Sequence, residues 1–398
     1  MLVVIGDCLS VNSSANLCHL AYLNGLLQAG CEVDLLCAKD EGAKTDSALT
    51  IPNEIVQHTY GVSLYEKLSH VKHHAAHENA AEEPAAQQAE PEGHGGGLLS
   101  GVKASVRSLY GVYGPSRAWH NRAKHFTSDT EYDYILSVSC PFISHFTAYT
   151  LIQHHQVQYK KWIQIWEDPW FSDIAYASDT EACKKEEAFL CSVAEDIVYV
   201  SPVTLAYQKK LFPESAHKMR FVPVPSYYGG AEEPVCFDKP VYGYFGDYVP
   251  EVRNLRPFYD AANEACAEAY ICGNPAGLFS STDTVSVHGR LNRDDLRVYE
   301  EKANVLVFLC NRRGGQIPGK IYQYSATNRL ILFLLDGTAE EQAAIRAYFE
   351  PFGRYIFCQN ESEAILHAMR AIEAGACRET ARAMDDFSSL KIIAQILR

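Results

Sequence analysis

The run Asn311-Arg312-Arg313-Gly314-Gly315-Gln316-Ile317-Pro318-Gly319-Lys320-Ile321-Tyr322-Gln323-Tyr324 carries more potential chemistry than any other stretch of the chain. An apolar strand ends before it, glycines form a loop, and Pro318 stands in the first turn of a helix. Unbonded N–H groups at a helix start, with the positive end of the dipole, make a site for an anion. Lys320 adds a point charge suited to a diphosphate. Gln323 lies one turn on, roughly on the same side, within reach of ribose hydroxyls. A glycine loop with a lysine is also an ordinary turn, so the run needs support from elsewhere. Asp168 offers some: Trp166 and Trp170 flank it. A turn cap before Pro169 is the plain reading of that aspartate, but aromatic faces often line sugar sites. His145 reads either as a satisfied histidine at a helix start or as a group facing a cleft.

These residues need a frame that brings them together. Leu2–Ile5 reads as a strand, a helix capped by Ser13 or Ser14 spans 15–29 with Gly30 as its stop, and Glu32–Cys37 is the next strand. The alternation resumes with strands at 134–138, 161–165 and 197–200 and helices at 142–153, 180–192 and after Ser201-Pro202. Short apolar strands joined by amphipathic crossovers bury both faces and give a parallel sheet. The segment 223–240, with Pro223, Pro225, Gly229, Gly230, Pro234 and Pro240, reads as a linker. A second alternation follows: strands at 241–245, 269–272, 284–287, 305–309, 330–334 and 355–357, helices at 253–265 and from Pro318. The expected organisation is α/β. An amino-terminal Rossmann-like domain (1–222) and a second (241–377) face each other across a cleft, and a helix in 378–398 packs back on the first. Ligands are then expected beyond the carboxyl ends of both sheets.

Two segments break the alternation. Residues 70–97 are rich in Ala, Glu, His, Gln and Gly, a composition too poor in apolar residues to order itself, and read as a mobile loop. Its histidines (His70, His73, His74, His77, His94) could bind metal, but no carboxylate or cysteine completes a defined site with them, and solvated low-complexity sequence is the plainer reading. From Leu99 to Tyr113 apolar residues recur at helical spacing, and Lys103, Arg107, Arg117, Arg122 and Lys124 surround Trp119 with no acid between 101 and 124. That patch is either a helix packed on its own domain or, through 98–125, a peripheral contact with an anionic membrane face.

Bulk properties exclude other classes. The chain has 398 residues, 47% hydrophobic and 21% charged, a globular composition of two-domain size. A net charge of −14 leaves no global basic field for nucleic acid. The apolar run near 330–335 is far short of the roughly 20 residues of a membrane span. The start, Leu2–Ile5 running into Gly6-Asp7, shows no basic leader. Thirteen scattered cysteines without zinc spacing read as reduced thiols of a cytoplasmic protein.

Ile317-Pro318-Gly319-Lys320-Ile321-Tyr322-Gln323-Tyr324 resembles the P-(S/G)-K-hydrophobic-x-E-Y box of family 4 retaining glycosyltransferases of the GT-B fold. Three further stretches are similar to that family in the same order: Ser137-Val138-Ser139-Cys140-Pro141 with Ser144-His145 and Trp162–Trp170; Tyr242–Asp247 with Arg253-Asn254; and Val287-His288-Gly289-Arg290-Leu291 before Ala303–Val307. The resemblance implies transfer of a sugar from a UDP- or GDP-linked donor to a glycan or lipid-linked acceptor, in surface polysaccharide assembly. It implies donor contacts at Gly246, Arg253, Asn254, Gly289, Arg290, Leu291, Gly315, Gln316, Ile317, Pro318, Gly319, Lys320 and Gln323. Ser13, Ser14, Asn16, His145, Asp168 and Trp170 would form the acceptor side, with His145, Asp168, Arg253 and Lys320 as the catalytic set. The chain departs from the family at Gln323 and Gly315, where glutamates are usual, at Asp247, where an arginine is usual, and at Ser13-Ser14, where glycines are usual.

The departing diphosphate develops negative charge that the protein must stabilise. Arg253, Lys320 and the 315–319 amides are the candidates, with Arg312 and Arg313 reading first as surface charges. No Asp-x-Asp pair suited to Mg²⁺ is present, so a metal-independent reaction without a resident cofactor is expected. The competing readings are an inactive GT-B-shaped partner of another transferase and a nucleotide-sugar epimerase.

Overall fold

A computed structural model describes residues 1–43, 45–62, 111–174, 181–227 and 239–398. The low-complexity segment 70–97, the part up to Tyr110 of the helical pattern expected over Leu99–Tyr113, and most of the linker lie outside the described residues.

The amino-terminal lobe holds strands β1 (Leu2–Ile5), β2 (Asp34–Ala38), β3 (Val56–Tyr60), β4 (Glu131–Ser139), β5 (Gln158–Trp166), β6 (Asp196–Tyr199) and β7 (Met219–Phe221). They form one parallel sheet in the order β3-β2-β1-β4-β5-β6-β7. The described helices of this lobe are α1 (Ser14–Gln28), α2 (Arg117–Ala123), α3 (Ile143–Gln153), α4 (Glu181–Val193) and α5 (Pro202–Leu211). The second lobe holds β8 (Val241–Phe245), β9 (Glu268–Cys272), β10 (Val285–His288), β11 (Val305–Leu309), β12 (Leu330–Leu335) and β13 (Ile356–Gln359), parallel in the order β10-β9-β8-β11-β12-β13. Around it lie α6 (Arg256–Glu264), α7 (Arg293–Lys302), α8 (Lys320–Ser325), α9 (Ala339–Phe349) and α10 (Ser362–Glu373), while α11 (Ser389–Ile396) returns to pack on α1 of the first lobe.

The central strands are apolar throughout because helices cover both faces; β11 and β12 are buried at every residue. Strand order reverses between β1 and β4 in one sheet and between β8 and β11 in the other. Each reversal opens a crevice at the carboxyl ends of the strands, where open α/β sheets bind ligands.

The carboxyl-terminal segment ties the lobes together. Ser226 N donates to Phe387 O at 2.6 Å, and Tyr134 in the first sheet donates its hydroxyl to Leu397 O at 3.0 Å. Helix α11 crosses α1 so closely that a Cβ on Gly25 would stand 2.5 Å from Ser389 O. Arg220 completes the attachment by donating to Gln395 O, to Ile396 O and to the buried Asp196. Burial alone would raise the Asp196 pKa, but Arg220 and Lys161 outweigh it and hold it low. A depressed carboxylate contributes stability that is present above about pH 3.9, the unfolded value, and lost as pH falls through the folded value. Arg220→Ala should therefore cost about 1–3 kcal/mol near neutrality and shift acid unfolding to higher pH, read by circular dichroism.

The basic, aromatic segment packs inward where it is described. Arg117 lies over the Phe146 ring at 4.7 Å, Trp119 is buried, and Arg122 donates to Gly61 O and Val62 O. Arg117 and Arg122 thus have partners within their own lobe, although Arg122 stays exposed. Among the described residues no helix is long and apolar enough to cross a membrane.

Candidate functional site

The turn between β11 and α8 meets both lobes. Its glycines are the reason it fits. Gly314 and Gly315 have φ of +89° and +68°, a region costly for other residues, and their Cα atoms press on the first lobe. A Cβ on Gly314 would stand 2.6 Å from Ile174 Cγ2, and one on Gly315 would stand 2.3 Å from Val203 Cγ1. Ser201, which caps α5, donates its hydroxyl to Gly315 O at 2.6 Å. Gln316 Nε2 donates to Asp168 Oδ1 from the other side of the gap. The backbone N–H groups of Gly314, Gly315, Gln316, Ile317 and Gly319 donate to no described residue.

Beyond Pro318 the turn faces its own lobe. Pro318, Lys320 and Tyr324 line a pocket with Gly246 and Arg253 at the β8/β11 crevice. Arg253 is fixed by Asn311 Oδ1 at 2.7 Å and Asp247 O at 3.1 Å. Lys320 Nζ lies 3.4 Å from the buried carboxylate of Glu300 on α7. Two cations thus converge on one crevice. Helix α8 starts at Lys320, not at Pro318, and has only six residues. A helix that short adds little dipole, so the positive charge rests on Lys320 and Arg253.

The opening of the second lobe is built on close backbone contact. Gly246 N donates to Cys272 O at 3.0 Å, and a Cβ on Gly273 would stand 1.9 Å from Gly246 O. Asp247, the residue of the wrong sign for phosphate, turns aside: Oδ1 accepts from Asn274 N at 3.0 Å and Oδ2 lies 3.5 Å from Arg290. Arg290 is thereby shared with an acid. Asn254 Oδ1 accepts from Arg256 N, Gly289 lies against Ala276, and Leu291 packs against the core; none of the three is among the residues lining the Lys320 pocket.

Several expected contacts take other roles. Gln323 does not turn toward ribose: its Oε1 accepts from Tyr227 N and its Nε2 donates to Pro225 O at 3.3 Å, so its amide ties α8 to the inter-lobe crossing. His145 does not face the cleft either. It is fully buried, its Nδ1 lies 2.8 Å from Ser137 Oγ, its ring packs on Trp166 at 4.5 Å, and burial lowers its pKa to about 3. Trp170 stacks on Phe142 at 4.8 Å inside an aromatic cluster and is 4% exposed, so it presents no face to a sugar. Ser13 caps α1 through Asn16 N, Asn16 is bound to Cys8 O and Val11 O, and Ser14 is exposed.

Asp168 does reach the lobe gap. Burial raises its pKa, while Gln316 and Arg253 pull it back down. The turn that carries it is fixed by Glu187 on α4, which accepts from Trp170 N and Phe171 N at 3.2 and 2.7 Å. Sequence reading missed Glu187, Ser201 and Glu300. The first looks like any helix acid, the second like an ordinary cap before proline, and nothing local marks the third as Lys320's partner. Asn311 stood inside the quoted run, but its bond to Arg253 spans 58 residues. Among the described residues no group of three or more His, Cys, Asp or Glu side chains gathers to hold a metal ion.

The architecture is the GT-B fold, two Rossmann-like lobes facing each other across a crevice. The chain is similar over its full length to sucrose-phosphate synthase from Thermosynechococcus elongatus, with 14% identity, 93% of that chain covered and a TM-score of 0.54. It is also similar to Arabidopsis thaliana UGT89C1 complexed with UDP-L-rhamnose, with 11% identity, coverage of 100% of this chain and 97% of that one, and a TM-score of 0.54. The lipopolysaccharide outer core galactosyltransferase WaaB in its apo form follows, with 10% identity, coverage of 99% and 97%, and a TM-score of 0.50. No protein-family profile matches the sequence, and no curated protein matches it.

Proposed function

We propose that this protein is a glycosyltransferase that moves a sugar from a UDP- or GDP-linked donor to a hydroxyl of a glycan or lipid-linked acceptor. The observation that carries the reading is the convergence of Lys320, Arg253 and the Gly246 backbone on one pocket at the strand-order reversal of the second lobe. In an otherwise acidic chain, two cations lining one crevice suit a diphosphate. Gly246 leaves room for close approach, since the nearest atom to a Cβ there is Tyr244 Oη at 3.8 Å. The similar structures, a sucrose-phosphate synthase, a lipopolysaccharide galactosyltransferase and a protein complexed with UDP-L-rhamnose, support the same chemistry.

Each group then has a task. Lys320 and Arg253 hold the diphosphate and take up its growing charge as the sugar leaves, in the role that a metal ion plays elsewhere. Asp168, bonded to Gln316, brings the acceptor lobe against the donor site and excludes water from it. A thermal-shift screen with UDP, GDP, ADP and dTDP, followed by calorimetry, tests the reading. A ligand that binds only the folded chain raises the melting temperature. The expected result is micromolar-range binding of UDP or GDP, and no binding of any of the four contradicts it.

A second reading, an inactive GT-B partner of another transferase, draws on Gln323, whose amide is taken by the inter-lobe crossing. Donor turnover by the purified protein eliminates it.

A further inference from the structure

Lys320 lines the donor pocket, but another element holds it from behind. Its Nζ donates to Glu300 Oε1 at 3.4 Å, and Glu300 stands in the last turn of α7 with 8% of its surface exposed. The carboxyl end of a helix is the negative end of its dipole and draws cations. Arg329 answers the same pull, donating from Nη1 to Glu300 O at 2.6 Å. A carboxylate and the negative end of a helix thus back the lysine that the diphosphate would use.

The other charges of the crevice are settled differently. Of the two cations lining the pocket, Lys320 is paired with a carboxylate, while Arg253 is held by two neutral oxygens, Asn311 Oδ1 and Asp247 O. The Asp247 carboxylate is taken up by Asn274 N and Arg290. The floor of the crevice registers the result. Cys272, whose carbonyl accepts from Gly246 N at 3.0 Å, has its thiol pushed up to about 12. Burial is the main cause, Glu300 raises it further, and Lys320 offsets only part of that rise. At that residue the acid outweighs the cation.

We propose that Glu300 opposes the bound diphosphate and sets how readily the nucleoside diphosphate product leaves. The proposal rests on the transferase reading and adds a control on release at the same site. In the transfer the acceptor oxygen bonds to the anomeric carbon, and its proton ends in solvent. The bond from that carbon to the diphosphate oxygen breaks, and the oxygen keeps the electron pair. A terminal phosphate ionises a second time at about pH 6, so near neutrality the product carries more negative charge than the nucleotide sugar did. A fixed carboxylate behind the ammonium acts hardest on that product. Glu300 is a positioning residue: it holds Lys320 and reaches the ligand through its field, which burial leaves little screened.

Glu300→Gln is the direct test, because an amide oxygen still accepts from Lys320 Nζ while the charge is gone. Calorimetry on the full chain with UDP and with GDP should show about tenfold tighter binding of whichever ligand the wild type binds. Stopped-flow should place the gain in slower dissociation. Glu300→Met, uncharged and of similar length, should show the same sign and serves if the glutamine variant fails to fold, which its melting curve reports. Glu300→Asp keeps the charge and should bind less tightly than either. A part confined to holding Lys320 in place, or a direct contact of the carboxylate with the nucleoside, predicts the opposite sign. Unchanged or weaker binding by a folded uncharged variant therefore overturns the proposal while leaving the donor site intact. A wild-type chain that binds neither UDP nor GDP overturns the donor-site reading, and the proposal with it.

Discussion

Lys320→Ala is expected to weaken nucleoside diphosphate binding about 10- to 100-fold, enough to remove a calorimetric signal in the micromolar range. The estimate follows from the loss of one charge-assisted contact, about 1.5–3 kcal/mol, at 1.4 kcal/mol per tenfold. The short helix behind the turn makes the loss larger, because its dipole offers little to replace the ammonium. Lys320 also faces the buried Glu300 at 3.4 Å, so its removal destabilises the fold as well. Lys320→Arg separates the two effects: it keeps a cation beside Glu300 and should recover most of the melting temperature and part of the affinity. Equal affinity in wild type and Lys320→Ala would remove the lysine from the donor site.

Gly315→Ala is expected to act through the lobe contact. The added carbon must occupy a left-handed conformation, which costs about 1–2 kcal/mol, and would lie 2.3 Å from Val203 Cγ1 and 2.8 Å from Val203 Cβ. Overpacking of that kind costs about 1–3 kcal/mol more. The lobes part to relieve it, and the Ser201–Gly315 and Asp168–Gln316 bonds go with them. Melting should fall by on the order of 5 °C or more, and donor turnover should fall further than affinity for UDP or GDP. Val203→Ala opens the space, so the double variant should regain part of the loss. Purely additive effects of the two changes would show that Gly315 and Val203 do not meet.

Much of the frame was legible in the sequence because parallel sheets announce themselves. Leu2–Ile5, Val241–Phe245 and Val305–Leu309 are continuous apolar runs between turn residues, and each is a strand with those ends. Strand β3 went unseen because it is an edge strand with no buried residue, and β7 because three residues carry no period. In the site, the glycine turn and its lysine were visible because Gly, Pro and Lys act through local backbone and charge. His145 and Trp170 were misplaced for the opposite reason. Nothing in their local sequence tells a cleft-facing aromatic or imidazole from one packed in a neighbouring aromatic cluster. Gln323 could be put on the helix face but not against Tyr227 N, because that contact depends on how the chain crosses between lobes. The Lys320–Glu300 pair joins residues on α8 and α7 that only the fold brings together.

The most direct test is a crystal structure of the protein grown with UDP. The pyrophosphate should lie between the Gly314–Gly319 turn and Gly246, with oxygens in hydrogen-bond reach of Lys320 Nζ and the Arg253 guanidinium. A pyrophosphate bound elsewhere, with the Lys320 pocket empty and the turn still closed on Val203 and Ile174, would contradict the account.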